Sequence, residues 1–287
     1  MGAIYKKELK SYFTSMIGCV FIAIMLVIIS LYFFVVNLLN QVADFSTALN
    51  AITFVIVLLI PIITMRIVAE ENRQKTDQLL LTSPVSVTKI VLGKYLALLT
   101  MYGIVMLILC TYPLIMSRYG AAELAKSYSS ILGFFLMGGA YISIGLFISS
   151  LTESQVIAAV VSFIVMIFTY LMASLAQLLP SDNISTWIMM GGLVVIIALI
   201  AHVMLRNFII TGSIFVIGEA AFAIIYFVKP SLYDGLIVNI LSWFSVVSRF
   251  GTFSLGIMDI SALVYYVSVI FVFVFLTIMK IKKKRWS

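Results

Sequence analysis

The sequence predicts an all-α polytopic membrane protein of about eight spans. Three observations carry that reading. Hydrophobic residues make up 63% of the 287 and charged residues only 10%, against about 45–50% and about 25% in soluble chains. A soluble protein of this length could not cover its surface with so few charges. The apolar runs approach the roughly 20 residues a helix needs to cross a bilayer and far exceed the roughly 10-residue alternating segments of a membrane β-barrel. Finally, the charge is concentrated. Residues 66–94 hold Arg66, Glu70, Glu71, Arg73, Lys75, Asp77, Lys89 and Lys94 between two apolar spans. Uncompensated charge is costly in hydrocarbon, so this island must be solvated or bound to protein.

Residues 1–16 read as an interfacial helix. Tyr5, Leu9, Tyr12, Phe13 and Met16 share one side, and Lys6, Lys7 and Lys10 face anionic headgroups from another. The next apolar run has the length of a full span and no small-residue cleavage site after it, unlike a signal peptide. Spans are expected at 17–39, 51–65, 95–116, 128–150, 156–179, 187–205, 208–228 and 260–279, with a short polar turn at 40–50. Gly133, Gly138, Gly139 and Gly145 let the fourth span approach its neighbours closely, which places it centrally. A tight turn carrying Glu153 joins it to the fifth. Residues 229–259 read as an external amphipathic segment, with Trp243, Phe244, Val246, Val247 and Phe250 on one side of a helix and Ser242, Ser245 and Arg249 opposite.

An even number of spans puts both termini on the island's side. Fourteen of the Lys and Arg residues then lie on that side and four on the other, so the termini and the island are expected to be cytoplasmic. The net charge of +7 is thereby a topology signal, not a nucleic-acid footprint.

Catalytic patterns are missing. Thr88 stands where the first glycine of a GxxxxGK phosphate loop would precede Gly93-Lys94. No HExxH, CxxC or GxSxG occurs, and His202 is the only histidine. Cys19 and Cys110 fall inside apolar runs and read as buried small side chains, not a disulfide or metal pair. The chain is therefore expected to hold no cofactor and to hydrolyse no ATP. Glu219 is the odd residue, a carboxyl near the middle of the seventh expected span. It is either a neutral or hydrogen-bonded group facing the bundle near His202 or a serine, or a coupling or substrate-contact group.

At the island the sequence becomes specific. The run Pro61-x-x-Thr64-Met65-Arg66, Ala69-Glu70-Glu71-x-Arg73-Gln74-x-Thr76, Leu79-Leu80-Leu81-Thr82-x-Pro84-Val85-Ser86 and Ile90-Val91-Leu92-Gly93-Lys94 resembles the permease subunits of ABC-2-type transporters. The nearest branch is the gliding-motility-associated permeases. The opening Lys7-Glu8-Leu9-x-Ser11-Tyr12-Phe13, the turn Leu151-Thr152-Glu153-x-Gln155 and the ending Leu276-Thr277 through Arg285-Trp286 resemble the same branch.

The resemblance implies a single type V exporter-like transmembrane domain over residues 1–287, with 66–94 as the cytoplasmic coupling segment. It implies a second permease chain and separate cytoplasmic ATPase subunits that bind ATP and magnesium. An extracytoplasmic auxiliary protein can join such assemblies. Glu70, Glu71, Arg73, Thr76, Leu79, Leu80, Thr82, Pro84 and Glu153 inherit the ATPase-coupling role by position. The chain departs from relatives at Lys75, often Gly, and at Met16, often Pro. Two other classes compete: a non-transporting membrane anchor in a surface or motility assembly, and an autonomous ion-coupled transporter. The latter would be expected to show paired broken helices and an inverted repeat, and none is readable.

Overall fold

A computed structural model describes residues 1–76, 85–119, 123–180, 182–205, 208–228 and 233–286, and all regular structure among them is helical. The chain forms two compact units. One comprises Met1–Tyr170 with Val246–Ser287, the other Leu171–Ser245.

The first unit opens with α1 (Gly2–Thr14). Its buried face is Ile4, Glu8 and Tyr12, one residue per turn, while Phe13 and Met16 are exposed. Of the aromatic side read from the sequence, Tyr12 is buried and Leu9 and Tyr5 contact the rest of the unit, while Phe13 and Met16 stay exposed. The buried face is a stripe with a carboxylate at its centre. Helix α2 (Ile17–Tyr32) continues as a π-helical stretch over Phe33–Leu39. Cys19 on α2 is exposed, a correction to its expected burial, and neither cysteine is in a disulfide.

Residues 40–50 are more than a turn. Helix α3 (Phe45–Ala51) buries Phe45, Ala48 and Leu49, and Asp44 caps it by accepting the Ser46 N–H at 2.9 Å. Asp44 also pairs with Lys126 at 2.6 Å. Burial raises the Asp44 carboxyl, but hydrogen bonds from Lys126 and Ser46 outweigh it and hold the group below the usual carboxylate range. A depressed folded value means the contact stabilises above the unfolded pKa of about 3.9 and is lost as pH falls through the folded one. Asp44→Asn should therefore lower the melting temperature at pH 7, with the gap from wild type closing towards pH 3.

Helix α4 (Thr53–Thr64) carries Pro61 and leads to the short α5 (Ala69–Gln74). Helix α6 (Val87–Leu109) begins well before the expected span start at Tyr95. The polar island therefore ends near Ser86, and Lys89 and Lys94 ride on the first turns of α6. The reason is periodicity: Val87, Ile90, Val91, Lys94 and Leu98 form one buried stripe at helical spacing. Helix α7 (Thr111–Tyr119) follows, with Pro113 in its first turn where no N–H is needed.

Helix α8 (Leu124–Leu151) is the hub. In its apolar stretch 78% of residues are buried, against 22% in α2 and 28% in the last helix, so α8 is central while those two leave much of their apolar surface uncovered by the rest of the chain. Gly138 leaves the space taken by the Tyr102 ring, whose hydroxyl donates to Phe134 O at 2.8 Å. The turn at Thr152–Ser154 leads into α9 (Gln155–Leu178), along which the division between the units falls.

The second unit holds α10 (Asn183–Leu205) and α11 (Phe208–Val228), packed on each other, and α12 (Leu236–Phe244) against α10. Trp187, Tyr226 and Tyr233 form an aromatic group there, and Tyr233 donates its hydroxyl to Phe222 O at 2.7 Å.

The expected amphipathic helix in 229–259 is broken. Backbone at Ser245 is extended, and the chain re-enters a short α13 (Phe250–Ser254) in the first unit. Trp243 and Phe244 stay exposed, whereas Val246, Phe250 and Phe253 are buried. Phe253 fills the space over Gly133 of α8, and Ser130 donates to its carbonyl at 3.2 Å. Aromatic burial against α8 outweighs continuation of the amphipathic face. Helix α14 (Ile260–Trp286) closes the unit along α8.

Among the described residues, six helical segments are long and apolar enough to cross a membrane: Ile17–Leu39, Thr53–Gln74, Val87–Arg118, Leu124–Leu151, Gln155–Leu178 and Ile260–Arg285. The other two expected spans coincide with α10 and α11, many of whose side chains lie outside the described residues.

Candidate functional site

Helix α5 has too few residues to hold itself, and it is fastened from several sides. Ser149 of α8 does two jobs at once. Its hydroxyl donates to Met65 O at 3.1 Å, closing the end of α4, and accepts from the N–H groups of Val68 at 3.3 Å and Ala69 at 3.1 Å, opening α5. One serine thereby satisfies groups that two helix ends would leave orphaned. Lys75 ends α5 with a φ of 56°, the left-handed conformation in which glycine is ordinary, so the position where relatives often carry Gly has a backbone suited to it.

Beneath α5 lies a buried charge cluster. Lys94 is only 1% exposed. Its ammonium reaches Glu8 Oε1 at 2.9 Å, Glu71 Oε2 at 2.9 Å and Ile67 O at 3.0 Å, which uses all three of its protons. Lys7 adds a contact to Glu71 Oε1 at 3.2 Å. Gly93 lets α1 come close, because a Cβ there would stand 3.2 Å from Ile4 Cγ2. Tyr12 donates to Ile63 O at 2.7 Å, and burial with the Glu8 charge beside it pushes its phenol well above the ordinary range, so it stays a donor. These contacts tie α1, α4, α5 and α6 together.

On the other flank Asn72 is buried and donates to Thr152 O at 3.3 Å while accepting from Lys284 Nζ at 3.1 Å. The turn that bears Glu153 and the end of α14 are thus joined to α5. Arg66 pairs with Glu70 one turn on, and Gln74 donates to Glu70 Oε1 at 3.1 Å. A cleft of about 270 Å³ opens among Lys7, Ser11, Arg66, Glu70, Gln74 and Thr76.

The island residues therefore divide. Glu71 turns inward to Lys94, whereas Arg73, Lys75 and Glu153 are exposed and Glu70 and Thr76 are partly so. Leu79, Leu80, Thr82 and Pro84 lie outside the described residues. Sequence reasoning passed over Glu8, Lys94 and Asn72. The signal was there for the first two: each sits inside an otherwise apolar i, i+4 stripe, where a charge requires a partner.

In the second unit Glu219 is half-buried, and a Cβ on Gly191 would lie 3.0 Å from its Oε1, so that glycine makes room for the carboxyl. The His202 side chain, the expected neighbour of Glu219, lies outside the described residues.

A central helix crowded by glycine contacts, long apolar helices around it and a braced polar element at one end define a multi-pass membrane protein. The family model "ABC-2 family transporter protein" matches residues 37–228, about two-thirds of the chain. The chain belongs to this family and is a permease subunit of an ABC transporter, a class that works in the membrane with ABC ATPase subunits. Comparison with curated proteins found no match, nor did comparison with solved structures.

Proposed function

We propose that the chain is an exporting permease of the gliding-motility-associated branch, and that α5 with the following residues to Pro84 is its ATPase-coupling element. It pairs with a second permease chain, and ATP-driven alternating access moves substrate outward. ATP and magnesium are bound and turned over in the partner ATPase, not in this chain. The single observation that supports this most is the bracing of α5. A push on α5 reaches α1 and α6 through Lys94, α8 through Ser149, and α14 through Asn72. A merely solvated loop has no use for such fastening.

In this reading Arg73, Lys75, Glu70 and Glu153 orient the ATPase, Leu79 and Leu80 supply desolvated contact, and Glu71 keeps the element rigid. Glu219 is the intramembrane candidate for substrate contact. Both termini and the island are cytoplasmic. The charge bias holds whether α10 and α11 span fully, giving eight crossings, or remain on the outer side, giving six. Only Arg206 changes sides between the two.

The test has two arms. Purified chain alone should show no nucleotide turnover, and turnover should appear with its co-expressed ATPase. In a chain lacking Cys19 and Cys110, Thr76→Cys should resist an impermeant thiol reagent in intact cells while Ser117→Cys is labelled. Turnover by the chain alone, or outside labelling at position 76, would overturn the assignment.

A further inference from the structure

The basic end of α14 has a use beyond topology. Lys280, Lys283 and Lys284 border a cleft of about 280 Å³ with Asn72, Thr152 and Glu153. The cleft is set between three helix ends, and its lining carries three lysines against one glutamate. The Thr152 hydroxyl accepts the Ser154 N–H at 3.1 Å and has its own proton to donate. Lys284 already donates to Asn72 Oδ1 at 3.1 Å, so a donor is held in place at the cleft wall. Leu151, Val156, Phe275 and Met279 are exposed on the adjoining ends of α8, α9 and α14. An anionic head here would therefore adjoin a surface suited to acyl chains.

We propose that this cleft binds the phosphate group of an anionic phospholipid, with its chains lying on those exposed apolar side chains. Basic pockets between membrane helices are suited to such headgroups. Free phosphate shares the head chemistry but not the chains, and phosphatidylcholine shares the chains but adds a cation. Because Lys284 and Thr152 both bond Asn72, an occupied cleft also presses on α5. Lipid binding itself does not depend on α5 docking an ATPase, so the two ideas fail separately.

The test measures binding to the purified full chain in detergent by native mass spectrometry, titrating dioctanoyl phosphatidic acid, dioctanoyl phosphatidylcholine and inorganic phosphate. The wild-type chain should prefer phosphatidic acid to each of the others by about tenfold or more. Lys280→Gln/Lys283→Gln/Lys284→Gln should lose about tenfold in affinity for phosphatidic acid, while the corresponding triple arginine variant stays within about threefold of wild type. The control Lys75→Gln/Lys89→Gln/Arg118→Gln removes equal charge at exposed residues that do not line the cleft and should change affinity less than about twofold. Equal loss in the control would make the attraction diffuse and overturn the site. Equal affinity for phosphatidylcholine or for inorganic phosphate would overturn the ligand assignment, and neither comparison requires a variant to fold.

Discussion

Lys94→Met is expected to loosen the α5 end of the first unit severely. The substitution keeps a long apolar stem but leaves the buried Glu8 and the partly buried Glu71, both held 2.9 Å from the vanished ammonium, as neighbouring carboxylates. Breaking a buried ion cluster costs up to about 3–5 kcal/mol, and only the exposed Lys7, 3.2 Å from Glu71 and 3.8 Å from Glu8, is left to answer the two carboxylates. Ile67 O also loses its donor. Removing the whole cluster is a different matter. Glu8→Gln/Lys94→Met/Glu71→Gln carries no net charge into the site and should recover most of the lost stability. Thermal melting in detergent and proteolysis within residues 66–86 measure both. A Lys94→Met chain as stable as wild type would mean the cluster is solvated and α5 is held elsewhere.

Leu79→Asp/Leu80→Asp is expected to abolish coupling without unfolding the permease. The two leucines follow α5 in a polar segment, and a side chain that packs on the ATPase loses that contact when charged. Placing carboxylates in a desolvated interface costs several kcal/mol where no cation answers them, enough to lower association by a hundredfold or more. The variant should reach the membrane at wild-type abundance, melt as wild type and fail to retain the ATPase. Leu255→Asp/Ile257→Asp is the control, since both residues are exposed and lie away from α5 in the chain. Val246 would be a poor one, because it is buried and its carbonyl accepts from Tyr266 at 2.9 Å. Wild-type retention by the Leu79/Leu80 variant would return the segment to an ordinary loop.

How far the sequence could be read follows from what each residue's neighbours are. Length and composition sufficed for the membrane helices, and the glycines of α8 pointed to its central place, because both depend on local chemistry. The start of α6 was misplaced by two turns, since Lys89 and Lys94 looked like solvent-facing charges. Only the partners Glu8 and Glu71, far away along the chain, make a buried lysine tolerable. The break at Ser245 was likewise invisible: helical periodicity over 243–250 is real, but it loses to the fit of Phe253 over Gly133. At the candidate site, the glutamates of α5 stood out as charged, but nothing local told Glu71 from Glu70. Their separation into an inward brace and an outward contact comes from where α1 and α6 meet.

The most direct measurement of the central claim is site-specific cross-linking of the intact complex. A photoreactive residue replacing Arg73, which is exposed on α5, should yield an adduct with the mass of permease plus ATPase. The same probe at Glu153 should do so as well, and at Leu255 it should not. Adducts absent from positions 73 and 153 in a complex that still turns over nucleotide would contradict the account and place the coupling surface elsewhere.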